Sequence, residues 1–386
     1  MVKNLVGPPV LGSDFVGRQA ELASAWDNLK QGNSLLLASP RRVGKSSFAR
    51  KLIDIARAQA WQAIYLDLQG VHDENEFAAL LAQAAKEVRE KESRWARFSG
   101  TIQDLFGRVK KVEISGVGVE LEKQLDRFYQ QLEQRLTSDK PLLVVVDELA
   151  VFLQALSDLG GNKRVEMFLN WLRRLRQEQS GHIAWIFCSS ISITSFVAQN
   201  KLSHTVNDLY SFNLGEMTTS EATSLLNMLC QGAKVKAFTD EEVTLILERI
   251  GWKIPFFIQL FFKKFMEARA IRPEDTLSQL MDGIFEQVTS EQQLFTWSER
   301  LAGYGRYEAA ARTLLNYLCL PEHQSERAYL ESIVVHDSEG IGTPKEVYAE
   351  VKQMLDNDGY LVTNQAGDIS FRSPIIRQYW FNKYMR

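Results

Sequence analysis

Short apolar runs alternate with helix-spaced segments through the first 216 positions of this 386-residue chain. The runs "SLLLA" (34–38), "QAIYLDLQG" (62–70), "PLLVVVDEL" (141–149) and "HIAWIFCSS" (182–190) have the length and residue types of buried strands, and "DLYSFNLGEM" (208–217) reads as a last one. A lead-in helix is expected at "RQAELASAWDNL". Further helices are expected through "SSFARKLIDIARAQ" and over 74–92, 120–136 and 163–178. Residues 93–119 follow neither period and read as a small strand pair or an ordered loop. Strands that are apolar throughout and alternate with helices predict a mostly parallel sheet covered on both faces.

Past residue 216 the period becomes helical. "TSEATSLLNMLCQ", "TDEEVTLILERI" and "IPFFIQLFFKKFMEAR" are three helical segments, two of them led by Ser/Thr/Asp caps with acids in the first turn. They predict a helical subdomain over 217–298. From 299 onward, helices at 307–319, 325–335 and 344–357 precede "GYLVTNQAGDISFRS", two short strands around an Asn/Gly/Asp turn. Three helices and a hairpin outline a winged helix over 299–386, after a core over 1–216.

Composition adds boundaries. Apolar residues make up 45% and charged residues 24%, the balance of a globular chain, and the net charge of -3 gives no global attraction to nucleic acid or anionic lipid. Three scattered cysteines, Cys188, Cys230 and Cys319, form no disulfide framework and suit a reducing compartment. "MVKNLVGPPV" is too short and too interrupted for an export signal, and "IPFFIQLFF" is far short of a membrane span. A cytoplasmic protein with no membrane association is expected.

The chemistry concentrates where strands end. "SPRRVGKSS" follows "SLLLA" and opens a helix, with Ser39 where the phosphate-loop pattern GxxxxGK[ST] has its first glycine. A tight turn from a buried strand into a helix aims successive backbone N–H groups at an anion. Gly44 permits close approach, Lys45 would reach the outer phosphates, and Ser46 would ligate magnesium. Pro40 stiffens the loop entry, Arg41 or Arg42 adds positive field, and Val43 and Ser47 complete the cradle.

A second element is "LLVVVDEL". Two carboxylates at the end of a buried strand are costly unless they face a cation or donors. Asp147 would hold the magnesium shell, and Glu148 would polarise an attacking water. In "WIFCSSISI", Ser189 or Ser190 would donate to the terminal phosphate or the water, with Ser189 preferred because it directly follows the apolar run. The five histidines show no metal-ligand spacing.

Taken together, these elements resemble the STAND/AAA-like P-loop ATPases of bacteria and archaea, near the archaeal-ATPase group. "FVGRQAEL" resembles the box that precedes the nucleotide loop there and lies against the base, which implicates Phe15, Val16, Gly17 and Arg18. "SPRRVGKSS" resembles their GPRRVGKTS loop, "LLVVVDEL" their magnesium and water-activating strand, and "FCSSISI" their sensor. "GWKIPFFIQLF" resembles the Gly-x-Pro segment that closes the helical subdomain over nucleotide, with Pro255 as its signature. The resemblance covers about 12–265. It implies an α/β P-loop NTPase fold with a terminal winged helix, ATP and Mg2+ as cofactors, and slow hydrolysis used as a conformational switch.

Partners are less constrained. Self-association and a protein partner are expected; one of Arg164, Arg173, Arg174 and Arg176 would serve a neighbour's nucleotide in a ring, against the plainer reading of a solvated helix face. The region 300–386 carries ten Lys/Arg against eleven Asp/Glu, and its helix 344–358 is net negative, so duplex DNA contact is not favoured. The positive cluster Arg372, Arg377, Lys383 and Arg386 keeps that alternative open, as an ATP-dependent DNA-associated regulator or loader. A nucleotide-dead scaffold, with Ser39 marking a decayed loop, is the other alternative.

Overall fold

The structure, a computed structural model, describes residues 2–89, 130, 140–178, 181–189, 193–323 and 326–386. The expected helix at 120–136, bar one residue, and the segment 93–119 lie outside the described residues, as does Ser190. The described chain divides into two compact units. One comprises residues 19–38 and 45–214; the other comprises 1–18, 39–44 and 215–386.

The first unit is a five-stranded, wholly parallel sheet. Its elements in order are α1 (Gln19–Lys30), β1 (Leu35–Leu37), α2 (Lys45–Ala58), β2 (Gln62–Asp67), α3 (Glu74–Arg89), β3 (Leu142–Asp147), α4 (Leu149–Glu178), β4 (Ile183–Phe187), α5 (Ile193–Gln199) and β5 (Tyr210–Phe212). The spatial order is β2-β3-β4-β1-β5. Thus the chain leaves β1 toward one edge and leaves β4 toward the other. In such a sheet, ligands bind at the carboxyl ends of the strands where the connections diverge.

All five observed strands fall within the expected apolar runs and end sooner, as at Asp67 and Phe212, where polar residues take over. Register levels the tips: Leu36 lies beside Phe187, Phe187 beside Val146, and Asp67 beside Asp147. A core of Phe77, Phe152, Phe168, Trp171, Trp185 and Phe187 seals the unit. Helix α4 begins immediately after the acidic pair, well before the predicted 163, and breaks its dihedrals at Gly160 and Gly161. Apolar Leu149, Phe152, Leu153 and Leu156 form the buried stripe of the half that was not expected.

In the second unit, α6 (Thr219–Ala233), α7 (Asp240–Ile250), α8 (Pro255–Ile271) and α9 (Leu277–Thr289) form the helical part, one helix more than expected. Capping boxes at Thr218/Glu221 and Thr239/Glu242 start α6 and α7 as their sequences predict. A short α10 (Phe295–Glu299) leads to α11 (Glu308–Leu318), α12 (Arg327–Ile333), α13 (Pro344–Asp358), the antiparallel pair β6 (Leu361–Thr363) and β7 (Ile369–Phe371), and α14 (Pro374–Tyr384). This is the element order of a winged helix with one further helix. The aromatic ending seals the unit: Trp380 is fully buried, edge-on to Tyr360, and donates its indole N–H to Asn316.

Candidate active site

The sheet unit brings Lys45, Ser46, Ser47, Asp147, Glu148 and Ser189 to one end. Lys45 opens α2, whose fourteen residues place no acid in the first turn, so the positive end of the helix is left uncompensated. Lys45 and Ser47 are buried and Ser46 is half-buried. The preceding Gly44 has φ of 98°, and a Cβ built there meets nothing within 4 Å among the described residues. The left-handed backbone, not a steric limit, is what favours glycine as the chain turns into the helix.

Asp147 is buried at 6% exposure and held by two donors. The Tyr65 hydroxyl donates to Oδ2 at 2.5 Å and the Glu148 amide donates to Oδ1 at 3.0 Å. The neighbouring Cys188 thiol donates to the Val146 carbonyl at 3.8 Å. Burial, reinforced by Asp147, pushes the Tyr65 phenol well above its ordinary range. Burial and the same carboxylate push the Cys188 thiol well up, while Lys45 pulls it down. The phenol and the thiol thus both remain protonated at neutral pH, and Lys45 lies close enough to act on this group.

Glu148 takes φ of 59°, a left-handed conformation that costs a side-chain-bearing residue about 1–2 kcal/mol. Such outliers gather at working sites, where the surrounding fold holds them. The turn directs the carboxylate to Ser189, whose hydroxyl donates to Oε2 at 3.2 Å. Two predicted catalytic residues from different strands are therefore in direct contact.

Tyr65, Arg50 and Cys188 were not singled out from the sequence. Arg50 stacks on the Tyr65 ring, its guanidinium carbon 3.8 Å from the centroid. Only strand pairing reveals the group: Tyr65 lies opposite Val145, two residues before Asp147 and on the same face.

The other predicted binding residues belong to the second unit. The Arg18 guanidinium donates to the carbonyls of Glu216 at 3.0 Å and Gly215 at 2.6 Å, and its amide binds the Glu221 carboxylate at the head of α6. Gly17, at φ of 76°, passes so close that a Cβ would stand 3.0 Å from Glu221 Oε1. The Phe15–Arg18 box is thereby pinned to α6. In the loop 39–44, Val43 is buried, Arg42 lies 4.6 Å over the ring of Phe256, the residue after Pro255, and Pro40 packs where a Cβ on Gly359 would stand 2.7 Å away. Ser39 and Arg41 are half-buried, and Pro255 occupies the first turn of α8.

Among the arginines weighed as donors to a neighbour, Arg164, Arg173 and Arg176 have partners within the sheet unit. Arg164 pairs with buried Glu74, Arg173 donates to the His204 carbonyl, and Arg176 holds Asp208 with two bonds of 2.8 Å.

These residues fit a polyphosphate with a divalent cation. The clear backbone at Gly44 and the acid-free head of α2 suit an anion, and Ser46 with Asp147 offers the oxygen ligands magnesium prefers. Among the described residues no group of three or more His, Cys, Asp or Glu is placed to hold a metal. No helix among them is long and apolar enough to cross a membrane.

Among solved structures, the chain is similar to a Walker-type ATPase of Pyrococcus abyssi, at a TM-score of 0.62 and 15% identity over 98% of this chain and 99% of that one. It is also similar to the ORC2 protein of Aeropyrum pernix, solved as ADPNP–ADP complexes, at 0.57 and 12% identity over 100% and 99%. No family model and no curated protein matches the chain. The likeness spans nearly the whole of each chain and shows that this chain shares their fold.

Proposed function

We propose that this protein binds ATP with Mg2+ and hydrolyses it slowly, its nucleotide state acting as a conformational switch of the STAND/AAA-like kind. The observation that carries this reading is the convergence of Lys45, Asp147, Glu148 and Ser189 at the carboxyl ends of β1, β3 and β4 within one unit.

Each residue has a task its setting supports. Backbone N–H groups at the head of α2 and the Lys45 ammonium bind phosphate oxygens, with Ser39–Gly44 leading into that turn. Ser46 and Asp147 hold the cation, which supplies charge neutralisation when bound. Glu148 accepts a proton from the attacking water or orients it, and Ser189 fixes the Glu148 carboxylate. The Phe15–Arg18 box and Pro255 serve base recognition and closure by way of α6 and α8. A three-part organisation over 1–216, 217–298 and 299–386 accompanies this reading, as does a cytoplasmic setting.

For partners, we favour a second copy or another protein over duplex DNA. Arg372 donates to the carbonyls of Leu361 and Asp356, Arg377 to those of Cys319 and Leu320, and Lys383 to Tyr379. These bonds hold the side chains against their own fold, and a phosphate would compete with them for the remaining donors. A gel-shift series at low salt, with and without ATP, tests this: retarded duplex that depends on Arg372 or Arg377 reverses the preference.

Calorimetry with ATP and magnesium tests the main reading. Binding is expected, with phosphate release abolished by Lys45→Ala. No heat of binding in the intact chain rejects it and leaves the scaffold alternative.

A further inference from the structure

We infer that Tyr65 is a positioning residue for the cation-holding carboxylate and that Arg50 locks it in place. This rests on the nucleotide reading above and assigns a role to two residues the phosphate-loop pattern does not contain.

The geometry forms a chain of three side chains. Arg50 lies one helical turn past Ser46 on α2, so both point to the same side of the helix. Its guanidinium covers the Tyr65 ring at 3.8 Å, and the Tyr65 hydroxyl reaches Asp147 Oδ2 at 2.5 Å. The Arg50 Nε is buried with no hydrogen-bond partner among the described residues. A guanidinium kept there without that bond is held by the face of the ring.

The consequence falls on Asp147. A carboxylate that is to meet a cation must otherwise be oriented at the moment of binding. Here Oδ2 is fixed by Tyr65 and Oδ1 by the Glu148 amide, and each oxygen retains lone-pair capacity for a hydrated ion. The carboxylate is thus set before the metal arrives. Outer-shell partners of this kind typically govern metal affinity by about 10- to 100-fold.

Tyr65→Phe removes only the hydroxyl and keeps the ring under Arg50. The test uses the full-length chain and Mn2+ as the probe, titrated by electron paramagnetic resonance with saturating ADP, beside calorimetric ADP affinity in EDTA. Tyr65→Phe should weaken Mn2+ binding about tenfold, with ADP affinity in EDTA unchanged. Arg50→Met should move Mn2+ affinity in the same direction by less, and Arg50→Lys should restore part of it. A residue that merely fills space would leave the Mn2+ constant unmoved. Equal Mn2+ affinity in Tyr65→Phe and the parent overturns the inference while leaving the nucleotide reading intact; a parent that binds no ADP rejects both. If Tyr65→Phe fails to fold, Arg50→Met decides, and an unchanged Mn2+ constant there overturns the proposal equally.

Discussion

The Ser189 hydroxyl donates to Glu148 Oε2 at 3.2 Å, joining the tip of β4 to the turn that follows β3. Glu148 sits at positive φ to make this bond, so its direction is set by backbone and side chain together. Glu148→Gln keeps a partner for Ser189 but removes the base. Steady-state phosphate release should fall about 100-fold or more, with ATP affinity in calorimetry unchanged. Ser189→Ala should cost about fivefold, the worth of one ordinary hydrogen bond. Equal rates for the parent and Glu148→Gln would remove Glu148 from the mechanism.

Lys45→Ala should weaken ATP binding roughly 10- to 100-fold, the range for losing a charge-assisted hydrogen bond. Fluorescent-nucleotide titration measures it directly.

The missing loop glycine has a backbone answer. Among the described residues other than glycine, positive φ occurs at Arg18, Arg42, Ala60, Glu148, Lys201 and Lys234, and Ser39 is not one of them. The loop's left-handed turns fall instead on Arg42 and Gly44. Ser39→Gly should therefore leave nucleotide affinity essentially unchanged. Gly44→Ala forces a side chain into φ of 98° and should weaken affinity by about 1–2 kcal/mol. An equal loss in both variants would contradict this account.

Burial alone would raise the Asp208 carboxyl, but the paired bonds from Arg176 outweigh it and hold the group below its ordinary value. A depressed carboxylate stabilises the fold above its unfolded pKa of about 3.9, and that contribution disappears as pH falls through the lower folded value. Asp208→Asn should then destabilise by about 2 kcal/mol at neutral pH, since it leaves the buried Arg176 charge unmatched. The gap between variant and parent should persist down to about pH 5 and close in more acidic solution. Urea melts across that range read it out.

The strands, the head of α2 and the acidic pair were legible because each depends on residues adjacent in the chain. Lys45 and Ser46 follow their glycine, and Asp147 and Glu148 end an unbroken apolar run. Tyr65 was illegible because it meets Asp147 only through strand register, 82 positions along. The first half of α4 was missed because its apolar stripe follows two acids that read as the end of an element, although Leu149–Leu156 has the spacing of a buried helix face. The fate of Arg18 was hidden for another reason: its guanidinium answers carbonyls nearly 200 positions away, and a carbonyl leaves no mark in a sequence.

β4 lies between β1 and β3, so two strand spacings, about 9.5 Å, separate the strand that runs into Lys45 from the one that ends in Asp147. That distance belongs to the peptide ladder and survives the loss of any one side chain at the tips. Chemically silent variants should therefore persist in the cell as intact molecules.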